Sequence, residues 1–163
     1  MIVESSTRFY PDFYPSFQHE PTMDKFKIIK SDEVGEGVIA LNTFDPGQII
    51  FRFSGLILND MTLFTLQLGI GQHIHDPFFM GKILHSCDPN TDCDMATQTF
   101  TAIKPIKPGE YLTMDYETTE DELFRSFECH CGSPNCKKFI MGKKYRMALQ
   151  LEGNIQHMTM SEP

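Results

Sequence analysis

Three cysteines fall within eight residues, Cys129-His130-Cys131-Gly132-Ser133-Pro134-Asn135-Cys136, and no other feature constrains this chain as strongly. Gly132 and Pro134 are the residue types that fold such a loop around a shared centre. A closed structural zinc site takes four ligands, so the knuckle needs one more donor from elsewhere. Cys87, Cys93, His85 and His130 are the candidates. Five cysteines, an odd number at short spacing, suit metal ligation in a reducing compartment better than a disulfide framework.

With 163 residues the chain is long enough for one core, since a domain usually takes about 100–150 residues. No apolar run approaches the roughly 20 residues that span a bilayer, and the first residues do not read as a secretory signal. An intracellular setting, cytoplasmic or nuclear, is expected, with no membrane partner. The formal net charge of −8 argues against direct nucleic-acid binding, which needs a basic surface. It suits a basic protein or peptide partner, although acidity also serves solubility alone.

Residues 1–23 are rich in Pro, Phe and Tyr, a composition that blocks regular helix and predicts an extended arm with aromatic anchors packed on a surface. From Phe26 onward come short β-prone runs: Phe26–Ile29, Gly37–Leu41, Gln48–Phe53, Leu56–Leu58, Thr62–Leu68, Thr99–Ile103 and Tyr111–Met114. Asp45-Pro46-Gly47 and Lys107-Pro108-Gly109 mark turns between them. The pattern predicts a mostly β fold, with helical spacing over Glu120–Phe127 and Lys143–Leu151.

Three further constellations carry chemistry. Gly35-Glu36-Gly37 lets a backbone turn approach a ligand. His85-Ser86-Cys87-Asp88-Pro89-Asn90 is followed, at the end of a β-prone run, by Asp115-Tyr116. Singly, each has an ordinary structural explanation. In order, with the cysteine knuckle after them, they resemble the layout of SET-domain lysine methyltransferases. Gly35-Glu36-Gly37 is similar to the family's first glycine motif, and His85 to Asn90 to its Asn-His-Ser-Cys-x-Pro-Asn motif. Gly109-Glu110-Tyr111-Leu112-Thr113-Met114-Asp115-Tyr116 is similar to Gly-Glu-Glu-Leu-Thr-Phe-Asp-Tyr. Cys129 to Ile140 resembles the post-SET segment, and Cys136-Lys137-Lys138-Phe139-Ile140 the form found in the mixed-lineage-leukaemia group.

The resemblance implies a SET fold, small curved sheets with a pseudoknot, and a structural zinc held by Cys87, Cys129, Cys131 and Cys136, leaving Cys93 spare. It implies S-adenosylmethionine as cofactor, with the backbone around Glu36 and Gly37 holding the methionine part. Main-chain groups at His85 would hydrogen-bond the adenine, Phe139 would stack on it, and Leu84 would stand next to the cofactor. Tyr116 would be the catalytic hydroxyl, touching both cofactor and amine. The implied reaction transfers methyl to the ε-amine of a lysine in a basic, histone-like protein substrate. That amine has a pKa of about 10.4 in water and must lose its proton to attack. An apolar channel and a neighbouring sulfonium favour the neutral form.

The implied boundaries are an arm over 1–23, a SET domain over 24–119, a post-SET zinc segment over 120–141 and a partly helical tail over 142–163. A substrate peptide would lie between the segment Thr62–His75, expected as a strand or hairpin, and the post-SET loop, adding a strand to an exposed edge. Three residues depart from the pattern: Leu84 replaces the Asn before His, Phe53 removes a channel hydroxyl, and Met114 stands where Phe or Tyr is usual. With no hydroxyl at Met114 to tie up the amine, higher methylation states are expected. The same departures raise one alternative, a catalytically weak or inactive module that acts by binding; a further one, methylation of a small amine, is permitted by the same channel chemistry.

Overall fold

In the computed structural model, residues 7–159 are described; residues 1–6 and 160–163, assigned above to the arm and the tail, lie outside the described residues. The chain runs as β1 (Phe26–Ser31), β2 (Gly35–Ala40), β3 (Ile49–Arg52), β4 (Leu56–Leu58), β5 (Thr65–Gly69), β6 (Gln72–His75), β7 (Leu84–His85), β8 (Thr91–Asp94), β9 (Thr99–Ala102), β10 (Thr113–Met114), β11 (Phe127–Glu128), β12 (Phe139–Ile140) and α1 (Lys143–Thr159). The strands make small sheets in the orders β1-β2, β3-β9-β8, β4-β6-β5, β10-β7 and β11-β12. The mostly β reading therefore holds, and Thr62–His75 does contain a hairpin.

Alternation sets which residues go inward. Val38 and Ala40 on β2, Phe51 on β3 and Phe100 on β9 are fully buried or nearly so. Phe51 stacks on Phe100 at 4.5 Å between centroids, and Phe79 meets Phe51 edge-on at 4.8 Å. Each of these rings buries a large apolar area.

The aromatic arm packs on this core more deeply than composition suggests. Phe9 meets Phe79 at 4.8 Å, and Tyr10 is 2% exposed. The Tyr10 hydroxyl donates to Asp76 Oδ2 at 2.6 Å and accepts from the Ser54 N–H at 3.3 Å. Asp76 in turn accepts the N–H groups of Phe78, Phe79 and Met80, which start the 3-10 turn Met80–Lys82 leading into β7. A buried carboxylate must find such donors. Tyr10→Phe removes the one side-chain donor and is expected to cost about 1.5–3 kcal/mol, the range for a hydrogen bond to a charged group. Urea denaturation of both proteins measures it; a difference within error would show that Asp76 does not rely on the arm.

The helix expected over Glu120–Phe127 does not form; the segment is irregular, ending in β11. Its polar groups are drawn sideways onto β5 instead of pairing along a helix. Gln67 N–H donates to the Glu120 carboxylate, Gln67 Nε2 donates to Asp121 Oδ2 at 2.8 Å, and Asp121 N–H donates to Gln67 Oε1 at 2.8 Å. The second expected helix forms and runs past Leu151 as α1. Gly142, just before it, has φ 105°, and a Cβ there would lie 2.4 Å from the Asp121 carbonyl oxygen, so only glycine fits.

Candidate functional site

β7 and β10 lie side by side and parallel, pairing Leu84 with Thr113 and His85 with Met114. Side chains from the segment after β7 hold the pair together. Asn90 accepts the Thr113 N–H at 2.9 Å and donates to the Tyr111 carbonyl at 2.8 Å, and the Thr91 hydroxyl donates to the Thr113 carbonyl at 2.7 Å. The segments 85–90 and 111–116 thus lie against each other.

Tyr116 follows β10 in a 3-10 turn, capped by the Asp115 side chain, which accepts the Glu117 N–H. Its hydroxyl donates to the Ile83 carbonyl at 2.6 Å. Burial, with a smaller contribution from the charge of Glu120, raises the phenol above its ordinary value, so it stays a neutral donor. The Tyr116 N–H donates to His85 Nδ1 at 3.1 Å. Because a backbone N–H can only donate, Nδ1 is the acceptor, and the proton of the neutral ring sits on Nε2, 3.4 Å from Cys87 Sγ. Burial lowers the His85 pKa despite the Asp115 carboxylate, in keeping with that tautomer.

A cavity of about 640 Å³ opens in front of this pair, within the range of small-ligand sites. Its wall includes Gly35, Glu36, Lys82, Leu84, Met114, Tyr116, Glu120 and Phe127. Gly35, at φ 71°, has open space where a Cβ would stand, so the turn offers bare backbone at the rim. A Cβ on Gly37 would come 2.8–2.9 Å from the side chains of Tyr111 and Leu84, which makes this glycine a packing requirement of the adjoining wall.

Glu36, Leu84, Met114 and Tyr116, all singled out from sequence, come together here. Phe53 does not line the cavity; it is 2% exposed in the core, edge-on to Phe100. Phe139 is 45% exposed on β12 and also outside the lining. Two aromatic rings from the C-terminal segment reach the wall: Phe124, which is half-exposed, and Phe127, edge-on to His85 at 5.7 Å and to Tyr116 at 6.0 Å. Sequence reasoning missed Phe127 and Glu120. Position was the only signal, Phe127 two residues before the first knuckle cysteine and Glu120 four after the tyrosine.

The knuckle is a hairpin, with β11 antiparallel to β12 and the Cys129 N–H donating to the Lys138 carbonyl at 2.7 Å. The sulfurs of Cys87, Cys129, Cys131 and Cys136 lie within 4.8 Å of one another. Four thiolates around a tetrahedral zinc at about 2.3 Å stand about 3.8 Å apart, and Cys87 and Cys129 are 3.9 Å apart. The donor set fits zinc. Among the other candidates, His130 points to solvent beside Glu128, and Cys93 lies on β8 with its thiol donating to Met95 Sδ at 3.5 Å. Burial pushes the thiols of Cys87 and Cys129 up, the latter to about 12, which a bound cation would reverse.

A second attachment ties this segment to the cavity. Glu117 accepts two bonds from Arg146 at 3.0 Å each, the Met141 N–H at 3.1 Å, and pairs with Lys137 at 3.0 Å. Burial alone would raise its carboxyl, but Arg146, Met141 and Lys137 together hold it down at about 2.

The SET domain family matches residues 35–117. Histone-lysine N-methyltransferase ASHH3 of Arabidopsis thaliana is 25% identical over 138 residues, covering 70% of this chain and 38% of that protein. Methyltransferase flvH of Aspergillus flavus is 33% identical over 137 residues, covering 82% of this chain and 77% of that protein. Among solved structures, a crystal structure of KRYPTONITE in complex with mCHG DNA and SAH aligns with a TM-score of 0.56 at 23% identity, over 70% of this chain and 28% of that one. The chain thus spans well under half the length of ASHH3 and of KRYPTONITE. The matched span runs from the glycine turn to the residue after Tyr116, so the likeness rests on the segments that build most of this cavity, and the chain belongs to the SET-domain family.

Proposed function

We propose that this chain transfers a methyl group from S-adenosylmethionine to a primary amine, with the ε-amine of a protein lysine as the first substrate class. The observation that carries the reading is the Tyr116 hydroxyl, anchored on the Ile83 carbonyl inside a largely apolar cavity that also takes in the Gly35–Glu36 turn. The backbone at Glu36 and Gly37 would receive the methionine part of the cofactor, and Leu84 and His85 the adenine. Phe139 would have to swing inward to stack on that ring; Phe127 is already at the wall. When bound, the cofactor supplies an electrophilic methyl on sulfur. The protein's task is to exclude water, aim the amine with Tyr116 and keep it unprotonated, with Met114 leaving room for methylated products. In this reading residues 24–119 form the catalytic body, and the zinc-bound segment 120–141 closes it.

One observation favours a second substrate class, a small amine. The N–H groups of Thr65 and Gln67 on β5, the edge strand within the segment Thr62–His75, already donate within the chain, to the Thr62 carbonyl at 3.4 Å and to Glu120. A peptide adding a strand at this edge would have to displace them.

The test is transfer of labelled methyl from S-adenosylmethionine in a cell extract by zinc-replete protein, with proteins and small molecules separated afterwards. Label on discrete protein bands supports the first class, and label confined to the small-molecule fraction the second. No label in either fraction, with melting temperature unmoved by the cofactor, would remove both and leave a binding module.

A further inference from the structure

Glu120 is a buried ionisable group that the reaction as described leaves without a task. Its N–H donates to the Tyr116 carbonyl at 2.9 Å, so one turn of chain places both the tyrosine and this carboxylate in the cavity wall. The residue is 5% exposed. Its oxygens receive the Gln67 N–H at 2.8 and 3.1 Å. Of the cations around it, Lys137 and Arg146 sit on Glu117, Lys143 on Asp121 and Lys82 on Glu36, while Arg125 lines the same cavity as an exposed residue. The wall to which it belongs includes Leu66, Met114 and Leu123 as well as the charged Glu36, Lys82 and Arg125, and burial in it raises the cost of an uncompensated charge.

We propose that Glu120 is the carboxylate that receives the substrate's ammonium group and takes its proton. The inference rests on the methyl-transfer reading. An alkylammonium entering the cavity supplies the positive charge that the buried carboxylate lacks. One proton passes from nitrogen to the carboxylate, leaving a neutral amine with its lone pair and a neutral carboxyl. That lone pair forms the new N–C bond as the C–S bond of the sulfonium breaks, its electron pair staying on sulfur. The methylated product carries the positive charge away, and the proton on Glu120 passes to water.

The electrostatics of the site agree. Burial pushes the Glu120 carboxyl up to about 7, with Asp121 acting in the same direction and the Gln67 N–H, the Thr119 hydroxyl and Lys143 acting against it. Tyr116 and Cys93, the other ionisable groups that feel its charge, are both kept neutral by burial. A base poised near working pH is suited to proton transfer.

The test compares the full, zinc-loaded chain with its Glu120→Gln and Glu120→Asp variants. Without turnover, n-pentylammonium, a stand-in for the end of a lysine side chain, is titrated in the presence of S-adenosylhomocysteine at about pH 6 and about pH 8.5, either side of the carboxyl's titration. Wild type should bind it about tenfold more tightly at the higher pH, Glu120→Gln weakly at both, and Glu120→Asp in between. With turnover, kcat/KM of wild type should rise through about pH 7, while the Gln variant rises only toward the amine's own pKa of about 10. An unchanged thermal shift with S-adenosylhomocysteine shows that the Gln variant keeps its fold and cofactor pocket. Pentylammonium affinity that is absent in wild type, or alike in both proteins at both pH values, overturns the proposal. The methyl-transfer reading fails separately, on wild type that neither responds to S-adenosylhomocysteine nor transfers methyl.

Discussion

Tyr116→Phe should lower the rate of methyl transfer by on the order of 100-fold or more while leaving the protein folded. The ring is held independently of its hydroxyl, edge-on between His85 at 5.1 Å and Phe127 at 6.0 Å, and the variant keeps both contacts. The hydroxyl makes one hydrogen bond, to the Ile83 carbonyl, and losing it costs about 1 kcal/mol. For a chain of this length that lowers the melting temperature by only about 2–4 °C. The chemical loss is larger because the hydroxyl, with its proton spent on the Ile83 carbonyl, still has lone pairs to accept with, and Tyr116 lines the cavity. In the proposed reaction it is the fixed acceptor that would orient an amine N–H and lie against the departing methyl. Burial keeps the phenol protonated, so the loss should be the same across the working pH range. Single-turnover transfer on both proteins measures it, with the cofactor-induced thermal shift as the check on folding. A Phe variant within threefold of wild type would mean that the hydroxyl is structural, and the proposed mechanism would need another group.

How much of this was legible beforehand depends on where each residue's partner lies in the chain. The knuckle could be read because its ligands are neighbours, and the run from Gly109 to Tyr116 because strand, turn and tyrosine are contiguous. Cys87 is 42 residues from Cys129, and spacing alone left it level with Cys93, His85 and His130; only the family resemblance selected it. β8 was missed because Asp92 and Asp94 hide its alternation: both face outward while Thr91 is 1% exposed and carries a hydrogen bond to β10. The helix expected over Glu120–Phe127 failed for a related reason. Local propensity favoured it, but a glutamine 53 residues upstream takes hold of Glu120. That same long-range contact makes Glu120 a buried group in the wall instead of a solvated one on a helix.

Removing metal from the Cys87–Cys129–Cys131–Cys136 cluster, by chelation or by Cys129→Ser, should have the largest effect on stability. Cys87, Cys129 and Ile140 form a small cluster separate from the main core, with Leu123 and Phe127 packed against it. A cluster this small cannot offset the conformational entropy of ordering the segment from Leu123 to Ile140. Zinc–thiolate bonds would be the strongest link between that segment and Cys87, two residues after β7, beside the weaker hydrogen bonds that Asn135 and Lys137 make to Cys87. Losing such a site belongs among the changes that cost on the order of 5 kcal/mol, comparable to a whole domain's net stability of about 5–15 kcal/mol. The Glu117 contacts with Lys137 and Arg146 would remain, so the segment should detach from the cysteine end inward and take Phe127 out of the cavity wall before α1 is lost. Cofactor affinity should therefore fall together with the melting temperature, and both should return when zinc is added back. The measurements are metal content per chain, expected to be one zinc, and melting temperature with and without S-adenosylhomocysteine before chelation, after it and after zinc addition. Zinc-replete protein that contains no metal and does not respond to a strong chelator would show that the four thiols are held together by packing alone. Lower pH should act like a weak chelator, because protons compete with zinc for the sulfurs: burial raises Cys87 and Cys129, so without the cation these two take up protons readily, while burial of Cys131 is outweighed by hydrogen bonds from Ser133 that hold it down at about 5.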